Sequence, residues 1–292
     1  MQIPFDLDNT DSYLRWRDRK LANAIIDTSE LIVEIKDPRA LTKAEHAALL
    51  ERCQRSNMVI YATGTESADE DMVRRFGLQV GLTSLDANWL AGEQGITRVT
   101  VCADDGKRQA YIPYTDRAIK WHTDGYYNPP DRQVRSFVLH CVHSAGQGGG
   151  NRLLDHEIVY LMLRDENIDF IRALYVPDVM TIPERTDEQG VARAAQTGPV
   201  FSVDPATGTL HMRYTARTRS ILWKQEATTL AAVAALEKLL DSDLPHIHRT
   251  RLEPGMGLLC NNVLHDRAAF SDDQDRPRLL YRARYHERIA ES

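Results

Sequence analysis

Segments with the pattern of β-strands fill the middle and the end of this sequence, and their order constrains the fold more than any other feature. The segment SFVLHCVHSA at residues 136–145 is the strongest of them, and residues 199–214 predict a hairpin that turns at DPATG. Residues 246–265 and 276–286 predict further strands separated by turns. Because the strands do not alternate regularly with helices, a repeating βαβ sheet is excluded.

Helices are predicted at the start of the chain and between groups of strands. The tetrapeptide TKAE is a capping box, in which Thr42 caps the helix and Glu45 reaches back to the cap. A later helix begins after Asp155, which is a suitable N-cap. The predicted helices cover residues 42–57, 68–78, 155–167 and 227–242.

The predicted fold is a mainly β protein with helices, of the α+β class, built on a jelly roll core with flanking helices. Residues 96–114 add one more hairpin, which turns at DDG. No Gly/Ser linker or low-complexity tract divides the chain, so residues 1–292 are expected to form a single domain. Residues 1–57 are expected to be a helical embellishment of that domain.

Charge and composition exclude several classes of partner. The formal net charge of -6 and the mixture of signs along the chain argue against nucleic acid, which would require a concentrated basic stripe. No apolar run reaches the roughly 18 residues that a membrane span needs, and the start of the chain does not resemble a signal peptide. The four cysteines are scattered without a C-x-x-C motif. We therefore expect a cytoplasmic protein that acts on a small molecule, and the sequence leaves a homo-oligomer open.

The undecapeptide KWHTDGYYNPP carries the first chemical signal. In a β-strand, residues two apart point to the same face, so His122 and Asp124 project side by side. A single His-x-Asp is weak by itself in a chain with ten histidines. A metal site therefore needs a third ligand from elsewhere.

His265, in the segment NNVLHDRAAF, is the best candidate for the third ligand. It lies at the end of an apolar strand, just before a polar loop. Two histidines and one carboxylate form the facial triad of non-haem Fe(II) oxygenases, which leaves positions open for a cosubstrate and oxygen. The other histidines are less suitable as ligands. His246 and His248 suit an exposed strand face, and His140 and His143 suit a hydrogen-bonded core. His211 suits a pocket wall.

Four motifs, taken in order, resemble the TauD/TfdA superfamily, which includes taurine dioxygenase and the γ-butyrobetaine hydroxylases. They are WHTDG, GGGN after SFVLHCV, NNVLHDR, and RPRLLYRARY, and the resemblance covers roughly residues 55 to 286. It implies a distorted double-stranded β-helix and a dependence on Fe(II), 2-oxoglutarate and O2. By motif, the iron ligands would be His122, Asp124 and His265.

The same resemblance implies roles for two arginines of the last strand. Arg278 resembles the arginine that pairs with the distal carboxylate of 2-oxoglutarate, for which a planar guanidinium is well suited. Arg282 resembles the position that faces the substrate anion in taurine dioxygenase. Family members usually carry Thr or Ser after the glycine pair, but here GGGN is followed by Arg152. Either Asn151 takes over the contact to 2-oxoglutarate or the cosubstrate is held differently.

The implied reaction is the hydroxylation of a small polar metabolite, with release of succinate and CO2. Tyr126 and Tyr127 are candidate pocket walls, and Arg213 and Tyr214 follow a hairpin that borders the substrate in relatives. With Arg282, these residues favour an anionic substrate, whereas aromatic side chains alone would suit a betaine-like cation. The segment 181–198 is long and polar, and it fits either a lid or an ordinary surface loop.

Two alternatives come from other functional classes. A metal-dependent hydrolase would also use two histidines and an aspartate, although the sequence contains no H-E-x-x-H helix. A non-catalytic jelly-roll binding protein would explain the fold but not the metal triad with its paired arginines.

Overall fold

A computed structural model of the chain describes residues 4–64, 68–86, 95–101, 112–187, 190–217, 221–273, 275–290 and 292. Within these ranges the α-helices are α1 Thr10–Asn23, α2 Lys43–Ser56, α3 Glu70–Gln79, α4 His156–Glu166, α5 Ile168–Leu174 and α6 Ala227–Leu240. Short 3-10 helices span Thr28–Leu31, Ile112–Tyr114 and Pro130–Arg132.

The strands of the described residues are β1 Ile32–Ile35, β2 Met58–Thr63, β3 Thr97–Val99, β4 Ile119–His122, β5 Ser136–His143, β6 Gln147–Gly148, β7 Asn151–Leu154, β8 Met180–Ile182, β9 Arg185–Asp187, β10 Gly190–Arg193, β11 Gln196–Gly198, β12 Phe201–Val203, β13 Leu210–Met212, β14 Leu222–Trp223, β15 His248–Thr250, β16 Met256–Cys260, β17 Leu264–Arg267, β18 Phe270–Ser271 and β19 Leu279–Tyr285.

Two sheets form the jelly roll. The larger sheet has the strand order β1-β2-β16-β5-β19-β3, and the smaller has the order β15-β7-β17-β4. Side chains from both sheets meet in one apolar cluster, in which Phe137 of β5 and Leu258 of β16 pack with Leu153 of β7. The sheets therefore enclose a common interior, and the strands adjoining it can deliver side chains to one point.

The surroundings of strand β5 explain why its segment, SFVLHCVH, is so apolar. Phe137 and Cys141 belong to the cluster between the sheets, while Val138 belongs to a second cluster that includes Leu49 of α2 and Phe76 of α3. Because both faces of the strand are covered, it reads as a nearly continuous apolar run.

A third apolar cluster backs the smaller sheet. It joins α4, α5 and α6 to the hairpin of β12 and β13 and includes Trp121 of β4. The indole Nε1 of Trp121 donates to the carbonyl of Leu240 in α6, at 3.1 Å. This contact fixes the strand that ends at His122.

The predicted helices are confirmed, and their caps follow the expected chemistry. The amide of Glu45 donates to Thr42 Oγ1, at 3.2 Å, and the amide of Thr42 donates to the Glu45 carboxylate, at 2.7 Å. Asp155 caps α4 by accepting from the amide of Glu157, at 2.9 Å. The expected hairpin at 199–214 is likewise present as β12 and β13.

The N-terminal region departs from the sequence expectation. Besides α1 and α2, it contributes β1, which pairs in parallel with β2 and extends the larger sheet. The expected helical embellishment thus also contains a strand, because residues 32–35 extend a sheet edge that the local pattern does not reveal. In the expected hairpin at 96–114, β3 is present and residues 112–114 form a 3-10 turn, while residues 102–111 lie outside the described part.

Among the described helices, none has the length and apolar character that crossing a bilayer requires.

Candidate metal centre

His122, Asp124 and His265 lie together between the two sheets. Strands β4 and β17 are antiparallel neighbours in which His265 stands directly opposite His122, and the two ring centroids are 4.2 Å apart. One candidate ligand atom from each of the three residues lies within 4.8 Å of the others. Within the described ranges, no other set of histidine, cysteine and carboxylate side chains has this geometry.

Backbone carbonyls orient both imidazole rings. The Nδ1 of His122 lies 3.0 Å from the carbonyl of Lys120, and the Nδ1 of His265 lies 2.9 Å from the carbonyl of Val263. Because a carbonyl oxygen only accepts, each Nδ1 carries the proton and each Nε2 keeps its lone pair. The rings are thus held in the tautomer that binds a metal through Nε2.

The electrostatics of the cluster suit metal binding near neutral pH. Burial lowers the pKa of His122 to about 3 and also lowers the pKa of His265. Burial raises the pKa of Asp124, but the Arg282 and Arg284 guanidinium groups outweigh it and lower the pKa overall. Two neutral imidazoles and an ionised carboxylate result.

The Asp124 carboxylate provides a test of whether a metal ion fits. Asp124 is only 6% exposed, and its Oδ2 has no hydrogen-bond partner in the described structure. An unsatisfied buried carboxylate oxygen is costly unless it is paired or binds a cation. A divalent ion held by His122, Asp124 and His265 would remove this cost, so these residues fit the iron that the sequence implies.

Arg278 lies just before β19 in a second polar pocket. Its side chain packs over the Phe270 ring, with Cζ 5.0 Å from the centroid, and Gly149 leaves room beside the Arg278 Nε. The residue is 6% exposed, and burial lowers its pKa to about 10. Within the described residues no ion pair joins the Arg278 guanidinium to a carboxylate, and its side chain lines a small cavity. Asn151 lines the same cavity, and its Nδ2 donates to the carbonyl of Asp266, at 2.7 Å.

Arg282 and Arg284 are two residues apart in β19 and lie on the same face of the strand, as their spacing predicts. The Nη1 of Arg282 donates to Asp124 Oδ1, at 3.2 Å. Arg284 forms an ion pair with Asp86, at 2.6 Å, and donates to the Tyr127 hydroxyl, at 2.9 Å. Two arginines therefore lie near Asp124, and each is paired with a carboxylate.

Both tyrosines that follow the WHTDG motif lie near the metal cluster. The Tyr126 ring stands edge-on to His122 with centroids 6.5 Å apart, and the Tyr127 ring packs edge-on against Tyr126, at 5.1 Å. The contact from Arg284 fixes the Tyr127 hydroxyl. This arrangement is compatible with the pocket walls that the sequence suggests.

Arg213 and Tyr214 occupy structural positions that the sequence does not reveal. Every nitrogen of the Arg213 guanidinium donates to backbone carbonyls, which belong to Tyr126, Met180, Gln196 and Gly198. Arg213 therefore ties β8 and β11 to the loop after the metal motif. Tyr214 is 1% exposed and packs near Trp223.

The structure also shows the surroundings of two histidines that were not expected to be ligands, His140 and His248. His140 is buried in the core, where the Tyr61 hydroxyl lies 3.1 Å from its Nδ1, as expected. The exposed strand face predicted for His248 is wrong, because its ring is 2% exposed and contacts Thr28 Oγ1 at 3.2 Å. The 3-10 turn at 28–31 covers this strand, and no local pattern indicates such a long-range cover.

A wide groove of about 990 Å³ lies on the opposite face of the smaller sheet. Its lining includes Trp121, Arg152 and Arg249, and it contains none of the three candidate ligands. Arg152 pairs with Asp266, at 2.6 Å, and Arg249 pairs with Asp243, at 3.1 Å. The groove is thus separate from the metal cluster.

Sequence comparison identifies relatives over most of the chain. A profile of the family described as "Taurine catabolism dioxygenase TauD, TfdA family" matches residues 17–284. A uridine-5'-phosphate dioxygenase from Amycolatopsis sp is 32% identical over 175 residues, which cover 57% of this chain and 60% of that protein. One from Streptomyces sp is 30% identical over 197 residues, which cover 63% and 68%. The match thus spans less than two thirds of the first relative.

Solved structures show the same fold at low sequence identity. An asparagine oxygenase in complex with Fe(II), 2S,3S-3-hydroxyasparagine and succinate has a TM-score of 0.59 and 13% identity, over 83% of this chain and 78% of that chain. The non-heme iron oxygenase OrfP in complex with Fe and alpha-ketoglutaric acid has a TM-score of 0.60 and 15% identity, over 84% and 80%. The predicted fold class is confirmed. Because the family profile covers all but the two ends of the chain, this protein belongs to the TauD/TfdA family of dioxygenases.

Proposed function

We propose that this protein is an Fe(II)- and 2-oxoglutarate-dependent dioxygenase that hydroxylates a small anionic metabolite. The observation that carries this proposal is the convergence of His122, Asp124 and His265 around a buried carboxylate oxygen that lacks a partner. When bound there, iron supplies the activation of O2 that couples the decarboxylation of 2-oxoglutarate, to succinate and CO2, to substrate hydroxylation.

The roles of the chain's own residues follow from their positions. Arg278 offers a buried, two-pronged cation to the distal carboxylate of 2-oxoglutarate, and Asn151 lines the same cavity. Phe137 packs against His265, with ring centroids 4.9 Å apart, and limits the access of water to that ligand. These contacts support an assignment in which the cosubstrate lies on the Arg278 side of the metal.

The substrate would lie on the other side, near Arg282, Tyr126 and Tyr127. With a divalent ion bound, Asp124 shares its charge with the metal, so Arg282 becomes available to a second anion. Arg284 is already paired with Asp86 and orients the Tyr127 hydroxyl, so the charge available to a substrate comes from Arg282. This charge favours an anionic substrate over a betaine-like cation.

We further propose a nucleoside 5'-phosphate, with uridine 5'-phosphate as the first compound to test. Two relatives carry the name uridine-5'-phosphate dioxygenase, and the cationic groups near Asp124 suit a phosphate. A uridine 5'-phosphate dioxygenase should form succinate faster with uridine 5'-phosphate than with uridine or with no substrate. Equal rates with all three would refute this substrate class while leaving the oxygenase proposal intact.

Anaerobic titration tests the oxygenase proposal directly. Addition of Fe(II) and then 2-oxoglutarate should produce a weak visible metal-to-ligand absorption band, and His122→Ala should abolish it. Absence of the band in folded wild-type protein, or its retention in His122→Ala, would refute the assignment. The alternative hydrolase would bind metal but form no such band with 2-oxoglutarate.

The location and the assembly of the protein are further proposals. The chain is proposed to be one cytoplasmic domain, in which Lys20 of α1 is buried against Asp155 and Glu157, at 2.6 Å from each. A single cooperative unfolding transition would support one domain, and two resolved transitions would refute it. Cell fractionation tests the location, and size-exclusion chromatography with light scattering tests for a homo-oligomer.

A further inference from the structure

Asn262 occupies the turn between β16 and β17 and has a left-handed backbone, with φ of 51°. The residue is 2% exposed, and its side-chain amide is fully engaged. Its Oδ1 accepts from the amide of Asp124, at 2.7 Å. Its Nδ2 donates to the carbonyls of Asp124, at 2.9 Å, and Val134, at 2.7 Å.

These bonds replace the sheet ladder at Asp124. Asp124 follows the end of β4, and Gly125 turns the chain away with φ of 67°. In the described structure, one Asn262 side chain therefore satisfies both backbone polar groups of Asp124. Because Asn262 lies only three residues before His265, the clamp fixes one candidate ligand relative to another that is distant in the sequence.

We propose that Asn262 is a positioning residue of the metal centre, an inference that rests on the proposed iron site. Its amide sets the position of the Asp124 carboxylate relative to His122 and His265 without touching the metal. Groups that orient metal ligands in this way typically change metal affinity by about 10- to 100-fold when removed.

Asn261 is a matched control within the same turn. It is also 2% exposed, but its side chain contacts Asn57, Ser292 and the amide of Ile289 instead of the metal loop. Loss of either side chain removes buried hydrogen bonds. Only loss of the Asn262 side chain releases Asp124.

The test compares Asn262→Gly and Asn261→Ala in the full chain by Mn(II) titration calorimetry and thermal unfolding. Glycine preserves the left-handed backbone at 262, so the variant removes the amide contacts alone. We expect Asn262→Gly to weaken Mn(II) binding at least 10-fold and to shift the Fe(II)–2-oxoglutarate absorption band. We expect Asn261→Ala to lower the unfolding midpoint with Mn(II) affinity unchanged.

Hydrogen exchange adds a readout that needs no metal. The peptide containing Asp124 should exchange faster in metal-free Asn262→Gly and should be unchanged in Asn261→Ala. If Asn262→Gly does not fold, Mn(II) titration of Asn262→Asp replaces it, because Asp keeps the acceptor for the Asp124 amide and removes both donated bonds. Asn261→Asp is then the charge-matched control. Wild-type Mn(II) affinity in the Asn262 variant, or equal weakening in both variants, would overturn the inference. Failure of the wild-type protein to bind Mn(II) would instead refute the proposed metal centre.

Discussion

The buried ion pair between Asp86 and Arg284 leads to the most quantitative prediction of this structure. The side chains are 4% and 3% exposed, and their charged atoms are 2.6 Å apart. Burial acts to lower the pKa of Arg284, but Tyr127, Asp124 and Asp86 outweigh it and raise the pKa. Asp86→Asn keeps the shape of the side chain and removes the negative charge.

The expected cost follows from this burial. Arg284 would keep its bond to the Tyr127 hydroxyl but would lose the carboxylate that compensates its charge in a poorly solvated site. Breaking a buried pair by removing one charge typically costs about 3–5 kcal/mol. For a chain of this size, such a loss lowers the unfolding midpoint by roughly 5–8 °C.

Urea unfolding of three variants tests this reasoning. Asp243→Asn, which removes the partner of Arg249 from an ion pair whose side chains are 55% and 99% exposed, should cost less than about 1 kcal/mol. The double variant Asp86→Asn/Arg284→Met should recover part of the loss, because it removes the orphaned charge as well. A loss below about 1 kcal/mol in Asp86→Asn, or a double variant less stable than the single one, would refute the argument.

Three further predictions concern buried groups near the two sheets. Burial lowers the pKa of His140 to about 4, so below pH 6.5 the unfolded chain binds a proton that the folded chain does not. Between pH 7 and pH 5 this should cost about 2 kcal/mol of unfolding free energy. His140→Gln should reduce the pH dependence in urea titrations by about this amount, because other buried histidines such as His248 keep their own contributions, and Tyr61→Phe should leave it unchanged. Gly125→Ala places a Cβ 2.5 Å from Val134 Cγ2 at a positive φ, so calorimetry should show weaker Mn(II) binding, and wild-type affinity would contradict the steric argument. Gly257→Ala drives a Cβ into the buried Tyr61 ring and should cost about 3 kcal/mol, measured by thermal unfolding; an unchanged midpoint would show that the ring yields freely.

The secondary structure and the candidate ligands were accessible from the sequence because their signals are local. The capping box at Thr42 and the cap at Asp155 depend on residues only two or three positions away. The nearly continuous apolar run of β5 reflects apolar surroundings on both faces of the strand. Motif order then related His122 and Asp124 to His265, and the register of β4 and β17 brings them together.

Other parts of the site depend on contacts between distant segments. Asp86 carries no local signal, yet it pairs with Arg284 at the far end of the chain. The carbonyls around Arg213 come from four positions between 126 and 198, so a residue expected at the substrate became a structural tie. His248 was expected on an exposed face and is covered by the turn at 28–31.

By itself, the sequence determined the helix starts and the strand periodicity and gave the three candidate metal ligands, since these depend on neighbouring residues and on short motifs. Only the tertiary structure decided that Asp86 pairs with Arg284, that every nitrogen of the Arg213 guanidinium already donates to a carbonyl, and that the Asn262 side chain binds the backbone of Asp124. The physical reason is that desolvation and hydrogen-bond satisfaction depend on every atom around a group, and the packed fold draws those atoms from remote parts of the chain.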